Sequence, residues 1–169
     1  MEDALSGDLG FRLSRLVRRL RTDWGGRLLA LDLNQPQAAI LRALHGRSGL
    51  GLRELSRLIG TDPSNLRREI DRLTKRGMLL VVPAERSGLK ATLALTKLGE
   101  QQTLEVLKLR NDMMAQTFDR LSGSDREALT ALVTTLETIV GIPEENFTIT
   151  GEQERRDVTP KPSAHVKGD

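Results

Sequence analysis

The chain has 169 residues, enough for one domain with a buried core and an appended tail, and its 2% aromatic content leaves that core to Leu, Ile, Val and Ala on helices rather than to a sandwich or barrel. It contains no cysteine, which excludes disulfides and thiol-based metal or redox sites, and no run approaches the ~18 consecutive apolar residues of a membrane span. The net charge of +3 is unevenly spread: residues 1–40 carry +1, residues 41–100 carry +6 and residues 101–169 carry −4, so a polyanionic partner is to be sought in the middle third. The acidic start Met1-Glu2-Asp3 does not resemble a signal peptide, and a cytoplasmic location is expected by elimination.

In chain order, the spacing of Phe11, Leu13, Leu16, Val17, Leu20, Trp24 and Leu28 predicts a helix over 8–31, with Arg12, Arg15, Arg18, Arg19 and Arg21 between the apolar positions. Gly25-Gly26 weakens its last turns. Asn34 caps a second helix in which Ala38, Ile40, Leu41 and Leu44 are apolar. After a loop at 45–49, a short helix turns Leu52, Leu55, Leu58 and Ile59 inward and stops at Gly60. Asp62 then caps, and Pro63 opens, a helix to about Arg76 with Leu66, Ile70 and Leu73 on its buried stripe. Leu79–Val82 and Ala91–Leu95 are expected strands joined by a turn over 83–89. Thr96 caps a helix to about Leu121, with Leu104, Leu107, Met113 or Met114, Phe118 and Leu121 as apolar anchors. Ser124 with Glu127 forms a capping box for the last helix, 124–141. Beyond Pro143 the composition turns polar, and 146–169 is expected to be a disordered tail. The fold class expected is mainly α, with a small two- to three-stranded β wing, in one domain over 1–145.

The functional signal is the order helix, tight turn, helix, hairpin over 52–95. With Leu66, Ile70 and Leu73 facing the core, the helix opening at Pro63 turns Ser64, Asn65, Arg67, Arg68, Asp71, Arg72 and Lys75 elsewhere. Its first turns would reach base edges, Asn suiting adenine and Arg suiting guanine, while Arg72, Lys75 and Arg76 lie further along for phosphates.

Four stretches resemble the multiple-antibiotic-resistance-regulator (MarR) family of winged-helix repressors: Gln37–Leu41, Leu52–Gly60, Asp62-Pro63-Ser64-Asn65-Leu66 running to Leu73–Leu79, and Leu95-Thr96-Lys97-Leu98-Gly99. The similarity in order and spacing covers roughly 8–141. It implies a homodimer held by helices within 8–31 and 97–141, a DNA-binding lobe over 50–96, and two recognition helices on half-sites about ten base pairs apart in a pseudo-palindromic operator. The family's wing carries Asp-x-Arg ahead of the Leu-Thr; the corresponding positions are Ser87-Gly88-Leu89, so Arg86 and Lys90 become the candidate wing bases. The resemblance also implies a small aromatic or anionic effector near the end of the first helix, with Trp24 and Arg27 as candidates.

An enzyme is not expected. The histidines, His45 in a loop and His165 in the tail, belong to no catalytic or metal-binding spacing, and Gly49-Leu50-Gly51 lacks the rest of a dinucleotide fingerprint. No cofactor is expected. The alternative is a winged-helix module that docks on protein without binding DNA, which should expose apolar or aromatic anchors where 62–76 exposes Asn, Ser and five bases.

Overall fold

The computed structural model describes residues 7–47, 49–84 and 90–142. Asp8 caps α1 (Leu9–Leu28) by accepting from the Phe11 N–H at 2.9 Å, so the predicted first residue is the cap. Gly25 and Gly26 stay helical, and the last predicted turn tightens into a 3₁₀ turn, Leu29–Leu31. That turn ends at Asp32, which has a left-handed φ of 52°. Next comes α2 (Gln35–Leu44), opened by a reciprocal box: the Gln37 N–H donates to Asn34 Oδ1 at 2.8 Å and the Asn34 N–H to Gln37 Oε1 at 3.1 Å. The helices α3 (Leu52–Ile59) and α4 (Pro63–Lys75) follow, with Gly60 at a φ of 64° terminating the first.

Strands β1 (Leu79–Val82) and β2 (Thr92–Leu95) pair antiparallel with Leu79 opposite Leu95 and Val82 opposite Thr92. The Leu93 N–H also donates to Leu50 O at 2.9 Å, an isolated bridge that gives the hairpin a one-residue third strand. Ala91 falls outside β2, because pairing opposite β1 begins at Thr92.

Thr96 caps α5 (Lys97–Gln116) as expected, but the helix stops five residues short of Leu121. The Thr117 hydroxyl folds back onto Met113 O at 2.7 Å and a 3₁₀ turn, Phe118–Arg120, replaces the last turn. The cap of α6 (Gly123–Ile139) is Ser122, not Ser124. Ser122 Oγ accepts from the Asp125 N–H at 3.1 Å and donates to the Asp125 carboxylate at 2.6 Å, so the earlier serine closes the turn first.

One apolar cluster holds the body together. It joins Leu28, Leu33, Ile40, Leu41 and Leu44 to Leu55, Leu66, Leu73, Leu79, Leu93 and Val106, with Trp24 partly buried against it. In α5 the buried residues are Gly99, Thr103 and Val106, while the predicted anchor Leu104 is exposed. Among the described residues, nothing buries any part of α6 or the apolar residues at the start of α1.

Candidate nucleic-acid interface

The α3–α4 turn is built from polar contacts. The buried Ser56 donates its hydroxyl to Thr61 O at 2.6 Å, and the Thr61 N–H returns to Ser56 O at 3.1 Å. Asp62 then accepts from the N–H groups of Ser64 at 2.9 Å and Asn65 at 3.3 Å. The Ser64 hydroxyl, these N–H groups and the nearby Arg68 together hold the Asp62 carboxyl below its ordinary range. These contacts fix where α4 starts. Its rotation follows from Leu66 and Leu73, both 0% exposed, and Ile70.

With that stripe inward, Ser64, Asn65, Arg67, Arg68, Arg72 and Lys75 are all exposed, as predicted. They form a polar, cationic side on a 13-residue helix, and among the described residues no element packs over it. Two pairs organise this side. Arg68 Nη2 donates to Asn65 Oδ1 at 2.6 Å. Since a guanidinium has no acceptor, only the amide oxygen can face it, and Asn65 Nδ2 is turned away. Arg72 Nη1 meets Glu69 Oε1 at 2.7 Å with its own side chain still mostly exposed.

Arg76 departs from expectation. It caps the end of α4, half-buried, and donates to Asp32 O at 2.6 Å with the Asp32 carboxylate at 3.3 Å, so it ties α4 to the start of α2 and is not a free phosphate ligand. Of the wing bases, Lys90 is exposed just ahead of β2, and Arg86 lies outside the described residues, as does the tail over 146–169.

Both candidate effector residues are engaged within the chain. Trp24 packs on the core, and Arg27 is committed to Asp23 at 2.9 Å and to Gln116 Oε1 at 2.6 Å, bridging α1 to α5. A separate cleft of 440 Å³, lined by Ser14, Val17, Arg18, Arg21, Thr22 and Gln35, lies between α1 and the start of α2. Among the described residues no group of three or more carboxylates and histidines is placed to hold a metal ion, and no helix is long and apolar enough to cross a membrane.

Four structural residues escaped the sequence reading. The sequence pattern assigns no role to Ser56, Glu69 or Asp32. Thr96 was identified as a cap, but its hydroxyl also donates to Gly77 O at 2.6 Å, pinning α5 to the turn after α4. Ser56 and Asp32 act within local turns, whereas the Glu69 contacts and the Thr96–Gly77 hydrogen bond depend on partners distant in sequence.

Residues 33–86 match the family model described as MarR family. No curated protein matches in sequence. Among solved structures, the chain is similar to CouR from Rhodococcus jostii RHA1 bound to p-coumaroyl-CoA, at 20% identity over 84% of this chain and 98% of that one, with a TM-score of 0.73. It is similar to the transcriptional repressor CouR bound to a 23-mer DNA duplex, at 24% identity over 80% and 96%, with a TM-score of 0.71. A MarR-family transcriptional regulator from Rhodococcus sp. RHA1 gives 22% identity over 82% and 96%, with a TM-score of 0.67. Residues 33–86, which hold α2, α3, α4 and β1, thus match the MarR family model, in a chain that shares the fold of the solved MarR-family transcriptional regulators.

Proposed function

We propose that this protein is a sequence-specific regulator of transcription that binds duplex DNA as a homodimer and acts as a repressor. The observation that carries the reading is the outer side of α4. Its leucines are locked inward, and Ser64, Asn65, Arg67 and Arg68 stand uncovered on the helix's first two turns. An α-helix fits the major groove, and residues at its N-terminal end reach the base edges. Arg72 and Lys75 follow at the spacing of the flanking phosphate backbone. Arg76 instead keeps the helix at its angle.

Dimerisation is supported by apolar surface that none of the described residues covers. Leu9, Phe11, Leu13, Leu16 and Val17 on α1, and Leu132, Val133, Leu136 and Ile139 on α6, are exposed. A groove of 740 Å³ beside α6, with Met114, Phe118, Leu129 and Val133 in its lining, offers a seat for a second copy. A two-fold mate would present a second α4 to an adjacent half-site.

A small anionic effector fits the same scheme, as CouR's binding of p-coumaroyl-CoA suggests by analogy. In this chain its charge would be met by Arg18 and Arg21 in the α1–α2 cleft, since Arg27 is engaged by Asp23 and Gln116.

The test is Arg68→Ala in a gel-shift series on an operator selected from random duplexes. Loss of one good base contact should weaken operator binding about ten- to a hundredfold while the dimer stays intact. Unchanged affinity and specificity would contradict the assignment of α4.

A further inference from the structure

Glu69 is, with the exposed Asp71, one of two acids on a helix whose outer side is mainly cationic, a placement that works against attraction to phosphates. Its side chain is only 13% exposed, and it is saturated with donors. Oε2 accepts from Asn34 Nδ2 at 3.1 Å and Gln37 Nε2 at 2.9 Å, and Oε1 accepts from Arg72 Nη1 at 2.7 Å. The two amides are aimed in advance. Each spends its oxygen inside the box that opens α2, so each presents nitrogen to the carboxylate. A second tie, from Arg76 to Asp32, joins the far end of α4 to the same stretch, 32–37.

Resting on the reading of α4 as the recognition helix, we propose that Glu69 is a positioning residue for operator recognition. It ties α4, whose rotation the leucine stripe sets, to the start of α2 and holds the Arg72 guanidinium in one orientation. A carboxylate in this place gives up non-specific attraction to any duplex and gains a defined pose on one. It also makes 32–37, which adjoins the α1–α2 cleft through Gln35, the segment through which a change at that cleft would reach α4.

The two consequences have opposite signs, and that makes the proposal testable. Glu69→Gln removes a negative charge, frees Arg72 and loosens the tie to Asn34 and Gln37. By fluorescence anisotropy, the selected operator should bind roughly tenfold more weakly, as expected when charge-assisted hydrogen bonds are lost. A scrambled duplex of equal length should bind about two- to threefold more tightly, through one more available cation. Gln37→Met, which keeps the charge and removes a donor, should weaken the operator alone. Parallel weakening on both duplexes would reduce Glu69 to a folding residue, and parallel tightening, or no change, would leave it a mere surface charge; each result overturns the proposal. If the unmodified protein binds neither duplex, the fault lies instead with the reading of α4.

Discussion

Replacing Gly99 by alanine tests how α5 is joined to the turn between α4 and the hairpin. A Cβ built there would sit 2.1 Å from Met78 O and 3.1 Å from Met78 C, both main-chain atoms, with Leu95 Cδ2 at 3.2 Å. Main chain cannot rotate away as a side-chain tip can, so α5 must lift from the turn that follows α4. The same Met78 carbonyl accepts from the Thr96 N–H at 3.0 Å, so lifting the helix strains its own cap. A clash with main chain puts the cost at the upper end of overpacking, about 3 kcal/mol, and alanine's helix preference over glycine offsets ~0.5–1 of it, leaving a net loss of about 2 kcal/mol. For a chain of this size that lowers Tm by roughly 4–8 °C. Thermal melts followed by circular dichroism, at fixed protein concentration so that any association contributes equally, would measure it. Gly26→Ala, in α1 with nothing within 4 Å of the added atom, is the control and should raise stability slightly. Equal effects from the two substitutions would refute the argued contact.

Two further outcomes follow from the same geometry. Leu132 is 63% exposed in the single chain, so Leu132→Asp should leave the far-UV spectrum intact, convert the dimer to monomer in sedimentation and weaken DNA binding with it; an unchanged sedimentation coefficient would remove α6 from the interface. Asp62, whose folded pKa is lowered by the Ser64 hydroxyl and the N–H groups it accepts from, contributes stability above its unfolded value of about 4 and loses it as pH falls through the folded pKa. The advantage of the native protein over Asp62→Asn should therefore be constant near neutrality and shrink in acid, and urea melts showing it widen in acid would contradict that sign.

The helix-turn-helix was legible because its signals are local. Gly60, Asp62, Pro63 and Gly77 mark ends and caps that depend on a residue's own neighbours, and Leu66, Ile70 and Leu73 fix the rotation of α4 by period alone. The errors lie where local signals compete. Ser122 and Ser124 each have an acid three residues on, and spacing cannot choose between them; the Ser122–Asp125 hydrogen bonds do. Thr117 can continue a helix or turn its hydroxyl back on it, and here it turns back. Charged residues were the least legible of all. Arg27, Glu69 and Arg76 share the composition of a solvated surface with Arg67, yet each is tied down by a partner elsewhere in the chain: Gln116, Asn34 and Gln37, and Asp32 respectively. A one-dimensional pattern shows which face a charge occupies; the partner that holds it comes from the fold.

The most direct measurement is selection of binding sites from random duplexes with the native protein, repeated at increasing salt. Two copies of α4 on a two-fold mate should enrich an inverted repeat with half-site centres about ten base pairs apart, and retention should fall steeply as salt rises. Recovery of unenriched sequence, or retention indifferent to salt, would mean that the exposed side of α4 does not read DNA.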